Sequence, residues 1–127
     1  MPFSSTDPWL MPLLRTIAGR PGMFLGSEDV RALDVYLLGY QQARHDLGVP
    51  DLLSDERVLW EHFNSWLVSR TGGSASLRWP TLVERIDPSS RNLRTFFRLL
   101  EEFLATRGQS LSDISSPSWP PDPDLPC

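Results

Sequence analysis

The side chains best suited to chemistry in this chain are two histidines, His45 and His62, and a single cysteine, Cys127. A zinc site asks for several such ligands at close spacing, such as His-x-x-x-His or Cys-x-x-Cys, and neither pattern occurs. Cys127 is the last residue and has no second cysteine to pair with. No metal and no cofactor are therefore expected. Nucleophilic catalysis needs a nucleophile, a base within reach and a group that orients the base. The serines fall mostly in helix caps, in a glycine loop and in the C-terminal tail, and no Gly-x-Ser-x-Gly elbow is present. His45-Asp46 and Glu61-His62 are sequence neighbours, which a helix points about 100° apart. His45 near a helix C-terminus also suits the helix dipole without any catalytic role.

Paired carboxylates could do acid–base work, and Glu28-Asp29, Asp55-Glu56 and Glu101-Glu102 are all adjacent. The first two read as helix starts, where the dipole favours negative charge. Glu102 follows Arg98 by four residues, the spacing of a solvated helix pair. Gly72-Gly73 has neither the lysine nor the preceding strand of a phosphate loop. Arg91, Arg94 and Arg98 share a helix face and could meet an anion, or simply form the charged side opposite an apolar stripe. The expectation is a protein that binds and does not catalyse.

The elements that would carry these residues are helices. Asp7-Pro8 offers a cap followed by proline, after which Trp9, Leu10, Leu13, Leu14 and Ile17 recur at helical spacing. Pro12 makes this helix short or kinked, and Gly19 ends it. Arg20, Pro21, Gly22 and Gly26 bound a structural turn, with Gly22 supplying positive φ after Pro21 in a type II turn. Met23, Phe24 and Leu25 within it are too apolar for a solvated loop and are expected to tuck under the helices. A second helix opens at Ser27, places Glu28 and Asp29 in its first turn, and carries the stripe Val30, Leu33, Leu37, Tyr40, Leu47 before Gly48 and Pro50.

Ser54-Asp55-Glu56 starts a third helix with Leu59, Phe63, Trp66 and Leu67 on one face. Thr71 to Ser76 breaks it as a flexible loop. A short helix from about Trp79-Pro80 turns Leu82, Val83 and Ile86 inward. Asp87-Pro88 then opens the strongest helix, whose Leu93, Phe96, Phe97, Leu100, Phe103 and Leu104 sit at offsets 0, 3, 4, 7, 10 and 11. Gly108 stops it. The expected fold is all-α, an irregular bundle of four to five helices over residues 1–108. Residues 109–127 form a Ser/Pro-rich tail, disordered or packed along the surface.

Bulk properties agree. A chain of 127 residues, 40% hydrophobic, suits one domain with one core. No apolar run approaches the ~20 residues that span a bilayer, and the N-terminus lacks the basic start and apolar stretch of a secretory signal. A cytoplasmic protein with no membrane association is expected. The net charge of −4 argues against nucleic acid and suits a basic protein partner, although plain solubility explains it too. All 12 basic side chains are arginine.

Arg20-Pro21-Gly22-Met23-Phe24-Leu25-Gly26 resembles the Arg-Pro-Gly-Met-Tyr-Ile-Gly segment of type II topoisomerase ATPase domains, such as the DNA gyrase B subunit. The chain lacks that domain's Asp-x-Gly-x-Gly adenine site and is too short for it, so ATP binding is not implied. A broader resemblance is to small helical bacterial immunity-type proteins from toxin neighbourhoods. It rests on the same segment, on Leu38-Gly39-Tyr40, on Phe63-Asn64-Ser65-Trp66, on Trp79 to Val83, and on Phe96-Phe97-Arg98-Leu99-Leu100-Glu101-Glu102-Phe103. This resemblance implies a non-catalytic protein that neutralises a toxin by direct binding and implies no catalytic residues. The candidate partner-binding residues are Glu28, Asp29, Asp34, Trp60 and Trp79, although the two tryptophans read more readily as partly buried core. The alternative is a small-molecule-binding or enzyme-accessory helical protein with a pocket lined by Tyr36, Tyr40, Trp66 and Phe97.

Overall fold

The computed structural model describes residues 9–48 and 54–111. Among them are six α-helices and no strand: α1 (Leu10–Gly19), α2 (Pro21–Leu25), α3 (Val30–Asp46), α4 (Ser54–Thr71), α5 (Trp79–Ile86) and α6 (Leu93–Ala105). The protein is all-α, with one helix more than the sequence pattern indicates. The addition is α2, which occupies the stretch expected to be a turn. Helix α5 packs against α3 and α4, α6 packs against the same two, and α1 reaches α3 through α2.

The core follows from the apolar stripes. Leu14 and Ile17 of α1, Val30 and Leu33 of α3, Phe63 and Leu67 of α4, Leu82 and Val83 of α5, and Phe96, Leu100 and Leu104 of α6 are fully buried. Each side chain removed from water in this way contributes roughly 1.5–3 kcal/mol. At the centre, Phe63 meets Phe96 edge-on at 5.8 Å and Trp79 meets Phe96 at 4.9 Å. Leu99 is fully buried although it falls outside the expected α6 stripe, while Phe97 on that stripe is only half-buried. Leu47 and Ile86 were expected inside and lie at the surface, Leu47 being 71% exposed. Both stand at or just past a helix end, where periodicity no longer fixes direction.

Several helix starts differ from the expectation. The N-cap of α3 is Asp29, whose carboxylate accepts the Ala32 N–H at 2.8 Å, so Ser27 and Glu28 precede the helix. Helix α6 starts at Leu93 behind Asn92 rather than at Asp87-Pro88. Asp87 instead follows α5 and accepts hydrogen bonds from the Ser89 N–H and the Thr95 hydroxyl. Pro12 sits in the first turn of α1, where its missing N–H leaves no helical bond unmade. The expected start at Asp7-Pro8, the Pro50 stop and residues 112–127 of the tail lie outside the described residues.

Buried polar groups join helix ends to other helices. Glu56, expected to serve its own helix start, reaches across to α1. Its carboxylate accepts the N–H groups of Trp9, Leu10 and Met11 at 3.0, 3.1 and 2.8 Å. Asn92 does likewise: its side-chain oxygen accepts the Val30 N–H of α3 at 2.9 Å, and its amide donates to the Asp87 carbonyl. The Leu93 N–H donates back to the Glu28 carbonyl at 2.9 Å. Two helix N-termini are thus held together by reciprocal bonds, satisfying donors that a helix leaves orphaned. The loop after α4, expected to be flexible, is tied by the Thr71 and Ser74 hydroxyls to the Gly73 and Ser76 N–H groups. A Cβ at Gly73 would meet the Leu82 Cδ2 at 2.9 Å, so any other residue there requires the Leu82 side chain to shift.

Helix α6 ends as its Gly108 signal indicates. The Gln109 N–H reaches the Leu104 carbonyl and the Gly108 N–H reaches that of Ala105, the Schellman pairing, with Gly108 at φ 72°. The packed region continues past the expected boundary at residue 108. Leu111 is buried at 4% exposure, and the Glu101 carboxylate accepts its N–H at 3.0 Å.

Candidate functional site

The surface that stands out is built by the Arg20–Gly26 segment against α3. Pro21 occupies the first position of α2, where its fixed φ suits a helix start and no N–H is required. Gly22 is helical. The left-handed residue is Gly26, at φ 73°, which closes α2 by donating its N–H to the Gly22 carbonyl at 3.1 Å. The expected type II turn is therefore replaced by a five-residue helix, and positive φ moves from Gly22 to Gly26. Helix α2 contributes no fully buried residue. Met23, expected beneath the helices, is 68% exposed, and Phe24 and Leu25 are half-buried.

Phe24 meets Tyr36 of α3 edge-on at 6.2 Å. The two helices leave between them a shallow open groove of about 430 Å³, lined by Phe24, Leu25, Arg31, Ala32, Val35 and Tyr36. Val35 is 70% exposed and Leu38, one turn further on, is 49% exposed. Burial raises the Tyr36 phenol above its ordinary pKa, assisted by Tyr40, so its hydroxyl is neutral at physiological pH. Arg31 forms one rim. Its guanidinium donates to Glu84 at 2.6 and 2.8 Å and to Thr81 at 3.2 Å. That pairing holds the Glu84 carboxyl below its usual range. Arg20, at the start of α2, is exposed, its guanidinium 3.9 Å from the Met23 sulfur. An apolar floor with a neutral phenol and an ion-paired edge can take an apolar side chain or a helix ridge. It holds no nucleophile–base pair.

The five candidate partner-binding residues are not gathered on one surface. Asp34 is 7% exposed and accepts a two-point ion pair from Arg78 at 2.7 and 2.8 Å. Replacing it with arginine would set two cations against each other at this pair. Trp79 is 5% exposed and packs on Phe96 and Trp60. Trp60 is half-buried against Phe63 and Phe96. The reading of both tryptophans as core holds. Asp29 is engaged as the α3 cap, and Glu28 faces Arg91 and Arg94 at 3.5 and 3.7 Å.

The four aromatics of the alternative pocket are also dispersed. Only Tyr36 lines the groove. Tyr40 stacks on Trp9 at 5.2 Å, Trp66 packs on Phe63 and Phe103, and Phe97 rests on Phe96. His45 lies in the last turn of α3, and His62 on α4 has its Nδ1 3.3 Å from the Arg107 guanidinium. Among the described residues no three His, Cys, Asp or Glu side chains gather as a metal site would require. Among the same residues no helix is long and apolar enough to cross a membrane.

No family model, curated protein or solved structure matches this chain. The groove therefore speaks through its own geometry. Its signal in the sequence was the run Met23-Phe24-Leu25, three apolar residues with no helical or strand period to bury them all. Glu56 and Asn92 carried no comparable signal, because each serves a helix distant in sequence.

Proposed function

We propose that this protein is a non-catalytic protein-binding module, an immunity protein that neutralises a cognate bacterial toxin by direct contact. The observation that carries the reading is the α2–α3 surface. Leu47, Val58 and Ile86 are exposed singly at the end of α3, on α4 and at the end of α5, whereas Met23, Val35 and Leu38 are exposed together on α2 and α3, whose groove is floored by Phe24 and Leu25. A small domain gains nothing for its own stability from such residues, and contiguous apolar surface of this kind marks interaction sites. The groove is open and shallow, which suits a protein ridge better than an enclosed small molecule. The resemblance of the Arg20–Gly26 segment to immunity-type proteins adds the class of partner.

The interface replaces the earlier set of acidic residues. Val35, Met23 and Leu38 are the anchors, Phe24 and Tyr36 shape the groove, and exposed Arg20 favours a partner with a carboxylate at the edge of its apolar contact, Arg31 being paired with Glu84. The test is to express the product of each adjacent gene alone and, where one is toxic, to co-express it with this chain. Growth is restored and a one-to-one complex co-purifies; toxicity that persists in the presence of the chain, or two species that elute apart, contradicts the reading.

A further inference from the structure

Ile17 and Glu28 pin the two ends of the stretch that carries α2. Ile17 is fully buried, and its carbonyl accepts the Arg20 N–H at 3.0 Å. At the far end the Glu28 carbonyl accepts the Leu93 N–H at 2.9 Å, and Asp29 caps α3. Between these anchors Pro21–Gly26 bonds only to its own neighbours. The Met23 N–H reaches the Arg20 carbonyl and the Gly26 N–H that of Gly22, both at 3.1 Å. The Arg20 guanidinium stays with the Met23 sulfur. Among the described residues no hydrogen bond or ion pair joins Pro21–Gly26 to another helix. Packing alone holds α2 down: Phe24 lies edge-on to Tyr36 at 6.2 Å, and Leu25 is half-buried against the core. None of its residues is fully buried.

Both ends of α2 favour a pivot. Arg20, at φ −149° and ψ 65°, stands outside the helical region, and Pro21 has no N–H through which α1 could continue. At the other joint Gly26 is left-handed, a conformation glycine adopts without steric cost. A segment with few buried contacts and no bond to its surroundings opens far more readily than the whole fold. We propose that α2 is a hinged strap, which lifts off α3 as one unit about Arg20 and Gly26 while the other helices stay folded. Phe24 and Leu25, two of the six residues lining the groove, travel with it. Lifting therefore widens the groove and uncovers the Tyr36 ring. On the partner-binding reading, the strap lets the groove close over an inserted ridge; the hinge itself does not depend on that reading.

Amide hydrogen exchange of the full chain alone, read residue by residue by NMR, tests the hinge without any toxin. The Met23 and Gly26 amides are expected to share one protection factor, within about threefold of each other. Its size is roughly 10- to 100-fold over the unfolded chain, against on the order of 10⁴-fold or more for Leu67 and Leu100 in the core. Because the strap exposes little surface, 1 M urea changes its exchange by less than about twofold, while Leu67 and Leu100 speed up about tenfold. Phe24→Ala loosens the packing that holds α2 and is expected to speed both strap amides equally, by about fivefold. Three results overturn the proposal. Met23 and Gly26 follow the core in level and urea response, so that α2 opens only with the whole protein. The two amides differ by more than about threefold, so that one end frays without the other. Both exchange at the rate of the unfolded chain, or neither responds to Phe24→Ala, so that no closed strap is held by that contact.

Discussion

The helix junctions and the α2–α3 surface treat their side chains in opposite ways. At the junctions buried carboxylates and an amide are matched by partners from elsewhere in the chain: Glu56 meets three N–H groups of α1's start, Asn92 bridges to α3, and Asp34 receives Arg78. At the α2–α3 surface apolar side chains face outward with nothing among the described residues to cover them. The first arrangement stabilises the fold and would be lost with it. The second contributes little to the fold and is open to a partner. Surface apolarity, rather than a concentration of charged groups, distinguishes the region suited to function here.

This contrast yields expectations that decrease in size from the junctions outward. Glu56→Ala removes a buried carboxylate from three donors and is expected to lower unfolding free energy by about 3 kcal/mol, measured by urea denaturation. A loss under about 1 kcal/mol would show that water replaces the cap and that the junction is not closed. Truncation after Gly108 takes Leu111 out of the core and is expected to cost about 2 kcal/mol. A truncated chain as stable as the parent would return the boundary to residue 108.

Arg78→Ala leaves Asp34 buried without its cation. Breaking a fully buried pair costs about 3–5 kcal/mol, but Arg78 is 56% exposed and water can reach the pair, so about 1 kcal/mol is expected. The pH dependence is smaller. Bonds from Arg31 hold Glu84 below its usual 4.5, and bonds from Arg70 do the same for Glu102. The Thr95 hydroxyl and Ser89 lower Asp87 from 3.8. A lowered carboxyl pKa adds stability above its unfolded value, and that contribution disappears as pH falls through the folded value. Thermal midpoints should therefore be level near neutrality and decline below about pH 4.5, less steeply in high salt. A midpoint that rises on acidification would contradict these pairings.

Much of the fold was legible because helical periodicity and stop signals are local. The stripe of α6, the stops at Gly19, Gly48 and Gly108, and the pairing of Arg98 with Glu102 at 2.9 Å all follow from neighbours within a turn or two. Glu56 was read as serving its own helix start, and Asn92 was not singled out, for a shared reason. A cap can come from any residue that arrives at the helix end, and sequence proximity favours the wrong acceptor. Asp34 looked like a surface acid because nothing in the chain near it announces Arg78, 44 residues away. The candidate site was half visible: Arg20–Gly26 was singled out, but as a turn sheltering its apolar residues rather than as a helix displaying them.

The account rests on the α2–α3 surface being where the partner binds, and Val35→Arg examines this most directly. The residue is 70% exposed, so its thermal midpoint should match the parent's, a stability change within about 0.5 kcal/mol. Titration calorimetry against the toxic domain that co-expression with this chain neutralises should show affinity reduced by roughly thirtyfold or more, as for a central anchor. An equally stable variant that binds within about twofold of the parent, far short of an anchor's loss, would place the interface elsewhere and contradict the account.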